Sequence, residues 1–271
     1  MKPIVRWTIG DVKLRGFHIL DRSIKNMLEL YGDRFEYFVY CNCNADYNTD
    51  RVRKTCEKYN VNLYLQKWET CPFPAPSDAI YPSIWKVCPP RLKMDVHELI
   101  LDNDVVFLKK PVEIEEFLDS DKTLVVEDTL RYFGVFNRWF RDDEAYNSGI
   151  MGCPPGYDFG KKIMGTWSER FEKMKNRKLG YGDEQGLLTY TLLQHPNIIV
   201  SSNRFAGLHA DNVSDLVFNN MGEKKNPKMH NYTQENLEKI KKLPVLHFLE
   251  SNRNPFHFAW SELFENKKIH F

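Results

Sequence analysis

The chain has 271 residues, 42% apolar, 28% charged and 14% aromatic, with a formal net charge of +1. That composition belongs to a globular protein, and the near-neutral balance excludes recruitment of nucleic acid by a general basic field. No apolar run reaches the roughly 18 residues that span a bilayer, and the opening MKPIVRWTIGDVK lacks an export signal, so a cytoplasmic setting is expected.

In chain order, IVRWTIG (4–10) reads as an opening strand. Residues 17–31 place Leu20, Ile24, Met27, Leu28 and Tyr31 at helical spacing, with Gly32 as the stop. Two further strands, FEYFVY (35–40) and VNLYLQ (61–66), follow. The proline-rich segment 71–92 should be irregular, with a broken helix around Trp85. A fourth strand, 98–101, ends on Asp102, Asn103 and Asp104, and Pro111 opens a short helix. Strands are expected at 123–127 and, after the aromatic stretch 131–140, at 147–153. Helices at 159–174 and 183–193 and strands at 197–201 and 245–249 complete the pattern. The polar run 222–242 reads as a solvated loop and helix, with a membrane or acceptor contact as the alternative. Alternating strands and helices without a linker predict an α/β fold, a mostly parallel sheet flanked by helices, in a single domain over 1–271.

The thiols Cys41, Cys43, Cys56, Cys71, Cys88 and Cys153 form no zinc spacing and are expected to be free. The aspartates carry more meaning. An extended backbone turns Asp102 and Asp104 to one side and Asn103 to the other. Two converging carboxylates repel unless a cation lies between them, and ligands of open α/β sheets sit beyond the carboxyl ends of strands. The plain alternative is one capping and one solvated acid. Downstream, Asn147 and Ser148 start a small-residue strand with Gly149, and Asp183, Glu184 and Gln185 start a helix. His247 sits inside an apolar strand, where a core histidine is the ordinary reading.

These features, in this order, resemble the GT-A glycosyltransferases, in particular the group of glycogenin and the lipopolysaccharide galactosyl- and glucosyltransferases. The L-D-x-D strand end is matched by Leu101, Asp102, Asn103 and Asp104, and the N-[AS]-G strand by Asn147, Ser148 and Gly149. A D-Q-x-[IL]-L helix start resembles Glu184, Gln185, Gly186, Leu187 and Leu188. The H-x-x-G-x-x-K segment is matched at His247, with Glu250 in place of glycine and Arg253 in place of lysine.

The resemblance implies a Rossmann-like GT-A fold and metal-dependent transfer of a sugar from a nucleotide-diphosphate donor, a UDP-sugar, with retention of configuration. It makes Asp102, Asp104 and His247 ligands of Mn²⁺ or Mg²⁺, the imidazole favouring manganese. Thr8, Gly10, Asn103, Asn147 and Ser148 become candidates for the nucleotide. Lys86, Arg91 and Arg253 become candidates for the diphosphate, with the charge of Glu250 counting against that last segment. Asp128, Asp183, Glu184 and Gln185 are the candidates for the sugar and the reaction. The implied acceptor is a glycan or glycolipid. The aromatics Tyr132, Phe133, Phe136, Trp139 and Phe140 are read first as core and second as an acceptor platform.

Two other enzyme classes fit less well. A sugar-nucleotide nucleotidyltransferase needs a glycine-rich phosphate loop after the first strand, and IGDVKLRGFH has only scattered glycines. A phosphatase of the haloacid dehalogenase type carries its D-x-D on the first strand. A non-catalytic nucleotide-sugar binding module is the remaining alternative.

Overall fold

Short β-branched and aromatic runs separated by amphipathic helices assemble into two sheets that meet at the Asp102–Asp104 turn. The computed structural model describes residues 1–65, 91–128, 133–171, 182–201, 205–210, 215–218, 228–230, 238, 241–248 and 264–265. Its elements begin with β1 (Ile4–Ile9), α1 (Leu14–Tyr31), β2 (Glu36–Cys41), α2 (Asp46–Tyr59) and β3 (Asn62–Leu65). Then come β4 (Glu98–Asp102), β5 (Val105–Phe107), α3 (Val112–Leu118), β6 (Thr123–Glu127) and β7 (Tyr146–Cys153). α4 (Phe159–Phe171), α5 (Asp183–Leu193), β8 (Ile198–Ser201), β9 (Phe205–Ala210), β10 (Asp215–Phe218), β11 (Lys228–His230) and β12 (Val245–His247) follow.

The larger sheet has seven strands in the order β3-β2-β1-β4-β7-β6-β8. Every pairing in it is parallel except those of β7, which runs against β4 and β6. The C-terminal ends of β1, β4 and β6 therefore share one edge with the N-terminal end of β7. That edge is where an open α/β sheet receives ligands. The fold expected from sequence, a mostly parallel sheet flanked by helices, is the fold observed.

Both faces of this sheet are buried, as parallel strands require. Along β4, Leu99 and Leu101 join the core beneath α1 and α2, while Ile100 joins a second core with α4 and α5. That second core absorbs Phe133, Phe136 and Phe140, so these aromatics are packing residues rather than a platform. Trp139 packs partly buried against the same cluster, and Tyr132 lies outside the described residues.

The smaller sheet runs β11-β10-β9-β12-β5. Within the expected loop and helix over 222–242, residues 238, 241 and 242 are helical, but Lys228–His230 form the unexpected strand β11, whose backbone pairs antiparallel with β10. β5 is an edge strand, and α1 covers its outer side. Asn26 Nδ2 donates to Phe107 O at 2.8 Å, and the Ser23 hydroxyl donates to Val105 O while accepting from Trp7 Nε1 at 2.8 Å. Side chains of one helix thus satisfy carbonyls that an edge would leave open.

Strand β1 carries an unexpected buried charge. Arg6 Nε lies 2.8 Å from Glu98 Oε1 with both side chains fully buried. Arg91 completes the group, with Nε 3.5 Å from Glu98 Oε2. No helix among the described residues is long and apolar enough to cross a membrane. Cys41, Cys43, Cys56 and Cys153 are free thiols, and Cys71 and Cys88 lie outside the described residues. The thiol of Cys153, wholly buried, is pushed up to about 12 by burial.

Candidate active site

The position of the two acids follows from the path of the chain. β4 ends at Asp102, the backbone turns through Asn103 and Asp104, and β5 starts in the other sheet at Val105. At this two-residue crossing between sheets Asp102, Asn103 and Asp104 are all partly exposed. β12 then lies antiparallel on β5 with His247 opposite Val105, and Phe248 N donates to Asp104 O at 2.8 Å. This register brings the imidazole to the acids. His247 Nε2 is 3.1 Å from Asp104 Oδ1 and 3.7 Å from Asp102 Oδ2. One ligand atom from each of the three residues lies within 4.8 Å of the others.

Such spacings suit a divalent cation. Ligand atoms held about 2.1 Å from an ion sit roughly 3 Å apart when adjacent and about 4.2 Å apart when opposite. Two carboxylate groups and one imidazole form a mixed oxygen–nitrogen donor set that a borderline metal accepts.

The histidine has a shaped seat. A Cβ on Gly149 would come within 2.8 Å of His247 Nδ1, closer than packed atoms approach. The glycine of the small-residue strand therefore exists for the ring against it. Register also shifts in this strand: Val125 pairs with Met151, but Val126 pairs with Asn147. The bulge lies across Ser148, Gly149 and Ile150, and bulges of this kind re-aim side chains beside functional sites.

Asn147 locks the seat. Its Oδ1 accepts from Gly149 N at 2.6 Å and its Nδ2 donates to Asp128 Oδ2 at 3.0 Å. Asp128 follows β6, is 9% exposed, and donates its own N–H to Ala145 O at 2.8 Å. Ser148 is buried, and its N–H points to Gln185 Oε1 at 3.4 Å. Thus Asp128, Asn147, Ser148 and Gln185 form one contiguous group beside Gly149.

Thr8 pairs with Asp102 across β1 and β4, and its buried hydroxyl has no hydrogen-bond partner among the described residues. Gly10 closes β1 at the same edge. Asp11 is a brace: its carboxylate accepts from Asn48 Nδ2 and Asn44 N, each at 2.8 Å, and from Ala45 N at 3.4 Å.

Other expected site residues are placed elsewhere. The Asn103 amide turns away and donates to Gly16 O at 3.4 Å, securing the first turn of α1. The Asp183 carboxyl, 1% exposed, accepts from Val135 N at 2.6 Å and so pins the turn of Gly134–Trp139 against α5. Glu184 is half-buried beside it at the start of α5. Arg91 is corrected outright. Its guanidinium is spent on Glu98, Pro154 O at 2.6 Å and Tyr157 O at 3.1 Å, at the opposite end of β4 from Asp102. Four residue steps of strand separate those ends by about 13 Å. Lys86, Glu250 and Arg253 lie outside the described residues. The brace of Ser23 and Asn26 on β5 escaped the sequence reading, because two polar residues inside an amphipathic helix give no sign of their partner strand.

No protein-family model matches the sequence, and no curated protein matches it. Solved structures do. The chain superimposes on the galactosyltransferase LgtC, solved with donor and acceptor sugar analogs, with a TM-score of 0.59 at 14% identity, covering 97% of this chain and 94% of that one. Mouse xyloside xylosyltransferase 1 aligns with a TM-score of 0.55 at 10% identity, covering 94% of this chain and 100% of that one. The bifunctional glycosyltransferase WbbM aligns with a TM-score of 0.51 at 14% identity, over 93% of this chain and 46% of WbbM. With its sheet order, its reversed β7 and these superpositions, the chain has the GT-A fold of the glycosyltransferases it resembles.

Proposed function

We propose that the protein is a metal-dependent glycosyltransferase, one domain over 1–271, acting in the cytoplasm. It would move a hexose from a UDP-sugar to a hydroxyl of a glycan or glycolipid. The observation that carries this reading is the Asp102–Asp104–His247 cluster at the ligand-receiving edge of a GT-A sheet. The donor set fits a divalent cation by spacing and chemistry, and its imidazole favours Mn²⁺ over Mg²⁺. When bound, the ion supplies positive charge against the diphosphate, easing departure of the nucleotide.

In the reaction the bond from the sugar's anomeric carbon to the diphosphate breaks. A bond to the acceptor oxygen forms, the hydroxyl proton is released, and configuration is retained. The chain's own residues bind and orient. Asp102 and Asp104 would hold the metal with His247, whose ring Gly149 admits. Asn147 fixes Asp128 and the Gly149 backbone together, which presents Asp128 to the sugar hydroxyls. Gln185, held by the Ser148 N–H, is assigned to the reacting face, with Glu184 beside it. Asp183 acts through the Gly134–Trp139 turn it secures, as a positioning residue. Thr8 and Gly10 border the nucleotide with Asn147 and Ser148, and Lys86 and Arg253 are assigned to the diphosphate.

Calorimetric titration with UDP tests the clamp. Affinity should rise at least tenfold with Mn²⁺ present, about 1.4 kcal/mol; equal affinity with and without the metal would reject it. A donor screen with Mn²⁺ tests the reaction by nucleotide release. Turnover of a UDP-hexose, lost in Asp104→Ala, is expected. Metal-dependent UDP binding without turnover of any donor would identify a binding module instead.

A further inference from the structure

Helix α1 holds the chain on both sides of Asp104. Its Gly16 carbonyl accepts the Asn103 amide at 3.4 Å, and its Ser23 hydroxyl donates to Val105 O. Gly16 and Ser23 stand at i and i+7, on one face of the helix and about two turns apart. A single rigid element therefore grips the residue before Asp104 and the residue after it.

Strand register explains why Val105 needs that bond. Phe248 N donates to Asp104 O at 2.8 Å. In an antiparallel pair the bonded direction alternates, so the backbone of Asp104 faces β12 while that of Val105 faces away from it, toward α1. Asp104 is thus held from β12 through its own carbonyl and from α1 through its neighbour's. His247 lies opposite Val105, so a shift of Val105 disturbs the imidazole's side of the cluster as well.

The direction of the Ser23 hydroxyl is also set. Trp7 Nε1, which can only donate, gives its hydrogen to Ser23 Oγ at 2.8 Å. That leaves the hydroxyl proton to Val105 O. Trp7, Ser23 and Val105 are all fully buried, where hydrogen bonds are not exchanged for bonds to bulk water. Ser23 lies on the buried face of α1 beside Leu20, Ile24 and Met27. Alanine there would favour the helix more, so the needs of the helix do not account for a hydroxyl. Asn26, one turn on, bonds the far end of the same short strand at Phe107 O.

We propose that Ser23 is a positioning residue for the metal site: through Val105 it fixes Asp104 at the spacing from Asp102 and His247 that a divalent cation requires. The metal in this statement rests on the transferase reading; the grip on Asp104 does not. Groups that orient metal ligands without touching the ion typically change affinity ten- to a hundredfold when removed.

The test compares Ser23→Ala with Asn26→Ala in the full chain, at a temperature where circular dichroism shows both folded. Mn²⁺ is titrated without nucleotide and followed by electron paramagnetic resonance, which counts the free ion and records the spectrum of the bound one. Ser23→Ala should weaken Mn²⁺ binding at least about tenfold and alter the bound spectrum, whereas Asn26→Ala should keep both as in the parent. Ser23→Cys fills the same space with a weaker donor and should show the same losses to a smaller degree, which keeps the test decisive if alanine there prevents folding. Parental affinity and spectrum in the Ser23 variants, whatever their melting temperatures, would leave the hydroxyl a brace alone and overturn the proposal. Equal weakening in Asn26→Ala would overturn it too, by assigning the effect to β5 as a whole. Amide hydrogen exchange without metal reads the grip by itself. The Phe248 N–H should exchange at least about fivefold faster in Ser23→Ala, with the Leu99 N–H unchanged. That result in a chain whose parent binds no Mn²⁺ would reject the metal reading and retain the grip; parental exchange at Phe248 would reject the grip.

Discussion

One methyl group at position 149 is the smallest change that reaches the clamp without touching a ligand atom. A Cβ there would press on the His247 ring and lie 2.8 Å from Asn147 Oδ1, so the ring must move. Crowding of this kind costs about 1–3 kcal/mol of stability. For Gly149→Ala we expect a lowered melting temperature and a loss of at least about tenfold in Mn²⁺-dependent UDP affinity. Metal-independent UDP binding should be retained. Unchanged metal-dependent affinity in calorimetry would reject the seat. Asp102 and Asp104 stood out in the sequence as two acids at the end of an apolar strand, whereas His247 read as a core histidine and joined them only through the family resemblance; the fold brings the three together. Gly149 was legible only as a place of close approach, and what approaches it depends on the register of β12 on β5, which no local pattern encodes. Arg91 misled for a plainer reason. A cation ahead of a strand lies at that strand's start, and the site lies at its end.

Among the elements, β1 and β4 are bolted together by the Arg6–Glu98–Arg91 group. Removing the central carboxylate leaves two buried guanidinium groups side by side, and breaking such a pair costs about 3–5 kcal/mol. Glu98→Ala should therefore shift the urea midpoint far more than Glu29→Ala, which removes an exposed (i, i+4) partner of Lys25 worth about 0.5 kcal/mol. Similar midpoints for the two variants would contradict the assignment. A second brace, Asp11, ties the loop after β1 to the start of α2. Burial alone would raise its pKa, but the hydrogen bonds from Asn48, Asn44 and Ala45 outweigh it and hold the carboxyl below 3.8. A depressed folded pKa gives stability that is complete above the unfolded value and lost as pH falls through the folded one. The stability gap between the parent chain and Asp11→Asn should thus be widest near neutrality and close below about pH 4; a gap constant down to acid pH would refute the brace. Most strands and the long helices were legible at this scale. α2 was not, because its buried seam is only Asn48, Val52 and Cys56, too narrow and polar to stand out. β5 was hidden because its three residues look like a continuation of β4.

At the scale of the whole molecule, the clamp joins two sheets. Asp102 ends a strand of the seven-stranded sheet, Asp104 leads into β5, and His247 belongs to β12 of the smaller sheet. A cation held by all three residues would stabilise the junction as well as prepare a ligand site. A metal at about a hundredfold excess over its Kd adds roughly 2.7 kcal/mol to a folded state that alone binds it. In a chain of this length that corresponds to a rise of several degrees in Tm, on the order of 5–10 °C. Mn²⁺ without nucleotide should raise the Tm of the parent chain by that amount, and chelation should reverse it. Mg²⁺ should give a smaller shift at equal concentration, because the imidazole ligand suits manganese better. Asp104→Ala and His247→Ala attack the junction from its two sides, so each should abolish the shift, whatever its own effect on the metal-free Tm. A full Mn²⁺ shift surviving in His247→Ala would mean that the metal binds on the β4–β5 turn alone and that the second sheet takes no part in holding it.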